Sequence, residues 1–136
     1  GRLRLHTTSK NEITQLLTVF QRDMADARSE AISLDRRFAI AYNAALTLAT
    51  AALAARGYRT FGEGHHFITI QSLGFTLILD SEVIERFNRF RRKRNITDYE
   101  RTGAVSEMEL TEMLELATFI RIKLQSWLEK EHPGLV

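Results

Sequence analysis

The sequence predicts an all-α fold: one domain over residues 1–136, built as an up-and-down bundle of four to five helices. Three observations predict it. Apolar residues recur at helical spacing through most of the chain, and Ser-x-x-Glu boxes stand ahead of two of those runs. An alanine-rich stretch lies between amphipathic neighbours. At 136 residues, 44% hydrophobic and 26% charged, the chain is long enough to bury one ordinary core.

The first box, Ser9-Lys10-Asn11-Glu12, opens a helix. Its apolar face, Ile13, Leu16, Leu17, Phe20, Met24 and Ala27, carries it through about Ala31. Ser33 or Asp35 is placed to cap the next helix, Arg36 to Arg56, and Gly57 to end it. Within that helix, Phe38 to Ala55 is almost uninterrupted apolar sequence, near the length of a membrane span. Its many alanines, its polar Asn43, Thr47 and Thr50, and the amphipathic segments on both sides predict instead a buried central helix. Tyr42 and Asn43 read as a hydrogen-bonded pair of buried polar tips.

Gly57 to Gly64 reads as a loop. The following His66 to Gln71 alternates and is rich in aromatic and β-branched residues, which suits a strand. Yet Phe67, Ile70, Leu73 and Leu77 also form a helical stripe, and an isolated strand would leave backbone groups unsatisfied. Helix is the assignment. Asp80-Ser81 breaks the chain before a helix with Val83, Ile84, Phe87 and Phe90 on its apolar side. Gly103 marks a loop, and Ser106 to Glu109 is the second capping box. The last helix buries Leu110, Met113, Leu114, Ala117, Ile120, Leu124 and Leu128, and Pro133-Gly134 stops it.

Composition narrows the chemistry. No cysteine means no disulfide, no thiolate metal site and no Cys nucleophile. There is no Gly-rich phosphate loop, Ser/His/Asp signature or metal-binding motif, so neither a metal nor another cofactor is expected. No signal peptide is visible, and a cytoplasmic protein with no membrane role is the expectation. A net charge of +2 leaves any nucleic-acid role to a local patch.

That patch lies between Arg86 and Arg101. Seven basic residues (Arg86, Arg89, Arg91, Arg92, Lys93, Arg94, Arg101) stand there against Asp98 and Glu100. The last helix begins acidic, with Glu107, Glu109, Glu112 and Glu115. The plain reading pairs the two, with the cations also favouring a helix C-terminus. But four consecutive cations, Arg91 to Arg94, cannot all face one acidic partner. Those turned elsewhere suit a phosphate backbone, which makes Arg91, Arg92, Lys93 and Arg101 candidate phosphate- or RNA-binding residues.

His65 and His66 form the second candidate. Adjacent residues do not share a helical face, which argues against a two-histidine metal site. The plainer reading is a helix start with one ring buried against the loop. The other is proton transfer, for which imidazole is suited near neutrality. Tyr99, after Asp98, reads as a ring packed at the bundle end, and an unperturbed phenol is a poor base at neutral pH.

The run Phe38-Ala39-Ile40-Ala41-Tyr42-Asn43-Ala44-Ala45-Leu46 resembles the second helix of HEPN domains. Gly57-Tyr58-Arg59, Gly64-His65-His66 and above all Arg94-Asn95-x-x-x-Tyr99 add to the resemblance. It spans nearly the whole chain, mostly as diffuse pattern; the Arg-Asn motif is its specific part. The family hallmark is an arginine, a polar residue and, a few residues on, a histidine. Arg94 and Asn95 match, and Tyr99 stands where the histidine belongs. The resemblance implies a helical, homodimeric RNA- or nucleotide-binding bundle, its Arg94–Tyr99 segments near the two-fold axis. It also implies metal-independent endoribonuclease chemistry in a toxin–antitoxin or stress-defence setting, restrained by a nucleotidyltransferase-like antitoxin. Arg94, Asn95 and Tyr99 would be the catalytic set. With tyrosine for histidine, either His65 or His66 supplies proton transfer from elsewhere, or the domain binds RNA without cutting it. The alternative is a non-catalytic module docking a nucleotidyltransferase-like partner.

Overall fold

Alanine decides the centre of this molecule. In a computed structural model describing residues 2–99 and 104–136 (backbone alone for 96–99), Ala41, Ala44, Ala45, Ala49, Ala51 and Ala52 are fully buried. They lie on α2, Leu34–Ala55, after α1, Lys10–Ala27. Small side chains let neighbouring axes come close. Accordingly α1, α3 (His65–Thr76), α4 (Ser81–Tyr99) and α5 (Glu107–Glu131) all pack on α2. By length and composition α2 could cross a membrane, but 61% of its apolar window is buried inside this fold. The all-α bundle is therefore present, with α2 as a hub.

The element boundaries follow local chemistry. Ser106 makes the full capping box, its hydroxyl accepting from the Glu109 amide while the Glu109 carboxylate accepts from the Ser106 amide. At α1 the box is half made. Ser9 accepts from the Glu12 amide, but the Glu12 carboxylate turns to His6 and Thr8. Helix α1 stops at Ala27 rather than near Ala31, because the Arg37 guanidinium donates to the Ala27 carbonyl and Ser29 and Ile32 close turns. Ser33 is the N-cap of α2 without a side-chain bond. Asp35 instead accepts from the Val105 amide and ties the start of α5 to α2.

The expected 57–64 loop holds a strand. β2, Tyr58–Thr60, pairs antiparallel with β1, Leu3–Leu5, in the register Leu3↔Thr60 and Leu5↔Tyr58. Gly57 turns the chain out of α2 at φ +92°, where a side chain would be strained, and its carbonyl accepts from the His6 amide. Three-residue strands carry too little pattern to stand out in sequence. Residues 65–76 are helical as expected, with Ile70 and Leu73 fully buried. Gly103 lies outside the described residues.

Ile78, just past α3, adopts φ +55° while 74% exposed. A β-branched residue is strained there, by about 1–2 kcal/mol. Ile78→Gly is therefore expected to raise stability by roughly 0.5–1 kcal/mol, after the greater freedom of an unfolded glycine is subtracted. A urea melt checks it; a lower midpoint would show that the isoleucine side chain contributes packing that outweighs its strain.

Candidate nucleic-acid interface

Helix α4 distributes its four consecutive cations around its circumference. Lys93 forms an ion pair with Glu109 on α5, Nζ to Oε2 3.1 Å. Arg92 pairs with Glu85 on its own helix at 3.1 Å, both side chains more than half exposed, an arrangement worth little. Arg91 and Arg94, three residues apart and so on one face, turn toward α2 and α3. The Arg94 guanidinium lies over the Tyr42 ring, 5.8 Å to the centroid, and that of Arg91 over the Phe67 ring at 5.5 Å. Both separations suit a cation–π contact. Asn88, buried one turn earlier, accepts from Arg91 Nε at 3.3 Å and sets its direction.

Tyr42 is the floor of this site. It is fully buried, with the Phe87 ring edge-on at 5.7 Å. The hydroxyl bonds His66 Nδ1 at 3.2 Å, not Asn43, which is exposed; the expected Tyr42–Asn43 pair does not form. Adjacent helical residues diverge by about a quarter turn, so burying Tyr42 necessarily turns Asn43 outward. Burial pushes the Tyr42 phenol up to about 12, outweighing the opposing pull of Arg91 and Arg94. The hydroxyl thus stays protonated and is a hydrogen-bonding group, not a base.

His66, half-buried at the second position of α3, is held below the ordinary histidine range. Burial is the largest cause, followed by repulsion from His65, Arg94 and Arg91. It is therefore neutral at pH 7. If Tyr42 donates to Nδ1, then Nε2 carries the proton and can act as an acid. If Nδ1 donates to Tyr42, Nε2 is a base. The His65 ring meets His66 edge-on at 4.5 Å while its Nδ1 contacts the Gly62 carbonyl at 3.1 Å, steadying the first turn of α3.

This arrangement has a pH signature. The unfolded chain protonates His66 near 6.5, whereas the folded chain does so only at lower pH. Between those values the unfolded state holds more protons. The resulting contribution to stability is complete above about 6.5 and is lost as pH falls through the folded pKa. Wild-type melting temperature should thus drop from pH 7 toward pH 5 more steeply than that of His66→Gln. Parallel curves would contradict the burial of a neutral imidazole.

The sequence candidates thus divide. Arg91, Arg94 and His66 converge around Tyr42 and Phe67; His65 borders them. Asn95 is exposed on α4. Arg92 and Lys93 are directed to carboxylates. The Tyr99 side chain and Arg101 lie outside the described residues. Tyr42 and Asn88 were not legible as site residues. The spacing 87, 88, 91, 94 is the signal that could have exposed one face of α4. Among the described residues no cluster of His, Asp and Glu could hold a metal ion. No family model and no curated protein sequence matches the chain.

Proposed function

We propose that this chain is a HEPN-like protein binding RNA or nucleotide phosphate, and that it acts as a metal-independent endoribonuclease. The observation that carries the reading is the Arg91–Arg94 pair turned from acidic α5 toward a neutral, half-buried His66. Guanidinium groups hold phosphate oxygens through paired hydrogen bonds and stabilise the charge that builds there. Imidazole takes the proton from an RNA 2′-hydroxyl as that oxygen attacks phosphorus. It returns the proton to the departing 5′-oxygen, leaving a 2′,3′-cyclic phosphate and a 5′-hydroxyl. His66 in this role supplies what Tyr99 does not. The resemblance to HEPN domains supports a toxin–antitoxin or stress-defence setting for this activity. There a homodimer would bring two Arg94–Tyr99 segments together and a nucleotidyltransferase-like antitoxin would restrain it.

The test is incubation of purified protein with RNA in EDTA, beside Arg94→Ala and His66→Gln. Cleavage by the wild type that both variants lose is the expected result. Binding without cleavage would remove the catalytic part, and no binding would remove the whole reading. A second reading, a non-catalytic module docking an acidic partner surface such as that of a nucleotidyltransferase-like protein, is favoured by the exposed Arg86 and Arg89. Arg86→Glu with Arg89→Glu would then abolish partner binding while leaving RNA affinity near wild type.

A further inference from the structure

Phe67 is the third residue of α3, directly after His66, and the residue is 38% exposed. An exposed phenylalanine alone is ordinary. This one is flanked by the site. Arg91 lies over its ring at 5.5 Å, and buried Asn88 in turn holds Arg91. A second pair of the same kind stands four residues ahead of His65, where the Arg4 guanidinium lies 4.0 Å from the Phe61 ring centroid. Aromatic rings beside cations are suited to a flexible polynucleotide. The cations track phosphates while the rings receive bases.

We infer that Phe67 is a base-binding subsite: an unpaired nucleobase stacks on its ring, next to the phosphate held by Arg91 and Arg94. The inference rests on the phosphate-binding reading above and adds to it the second half of the ligand. A duplex keeps its bases stacked on one another and offers no free face, so the site selects a splayed single-stranded nucleotide. Arg91 serves both halves, since its guanidinium can stack on a ring while donating to a phosphate.

The experiment compares two labelled strands of equal length by fluorescence anisotropy: an oligoadenylate and an abasic ribose-phosphate chain. Wild type is tested beside Phe67→Leu, Phe67→Tyr and Phe119→Leu. The last removes a matched ring, 39% exposed with the Lys123 ammonium 5.5 Å from its centroid, from α5. The expected result is a preference of wild type for oligoadenylate. Phe67→Leu should lose that preference, roughly five- to a hundredfold, the loss falling on oligoadenylate rather than on the abasic strand. Phe67→Tyr should retain it, and Phe119→Leu should match wild type. The inference is overturned if Phe67→Leu keeps the preference, weakens both strands equally, or behaves like Phe119→Leu. If wild type binds neither strand, the phosphate reading fails and takes this one with it. Binding of both strands with no preference sinks the stacking subsite alone.

Discussion

Phe87→Ala is expected to destabilise the protein by about 3–5 kcal/mol, the range for truncating a fully buried aromatic. Phe87 has no exposed surface and meets the Tyr42 ring edge-on. Its removal costs the transfer energy of the ring and leaves a cavity that rigid helices cannot close. The neighbouring edge-on pair, Phe38 with Phe90 at 5.7 Å, holds the same α2–α4 seam one turn away and resists collapse. Since a domain has only about 5–15 kcal/mol of net stability, the variant should sit near its unfolding threshold at 37 °C. Urea denaturation gives the value. A loss under about 1 kcal/mol would mean that α4 is not packed on α2 as described.

Arg94→Ala is expected to lower RNA cleavage by roughly 10²–10³-fold, the scale for losing one charge-stabilising donor. The same change should reduce the salt slope of single-strand binding by about 0.7, as one phosphate contact disappears. Arg94→Lys should recover the salt slope but only a fraction of the cleavage, because an ammonium is a point charge without the planar fork. Full cleavage by Arg94→Ala would remove this residue from the chemistry. An equal loss in Arg92→Ala would make the effect one of bulk charge.

The helical framework was legible because its signals are local. Ser106-x-x-Glu109 forms the reciprocal box its spacing implies, and Gly57 ends α2 at the positive φ expected of such a cap. The 65–76 segment shows why a pattern can point both ways: alternation in His66 to Gln71 coexists with a stripe in which Ile70 and Leu73 are buried. What escaped was long-range. The strand pair joins Leu3–Leu5 to Tyr58–Thr60, more than fifty residues apart, and neither half is long enough to announce itself. Likewise, the partner of Tyr42 is His66 on another helix, not the adjacent Asn43. Sequence spacing says which residues share a helix face, but not which foreign side chain meets that face. The cations of α4 could be counted in advance; their division among α5, their own helix and the Tyr42–Phe67 face required the packing.

Tyr42 has a consequence for how this protein can change. One ring belongs to the core through Phe87 and to the open face through His66 and Arg94. On the function proposed above, substitutions that shrink or enlarge it alter stability and phosphate affinity together, so selection cannot adjust the two separately at this position. Tyr42→Phe is the exception: it keeps the ring and deletes only the oxygen. Its phenotype would measure how much of the constraint on residue 42 is owed to the imidazole and how much to the core.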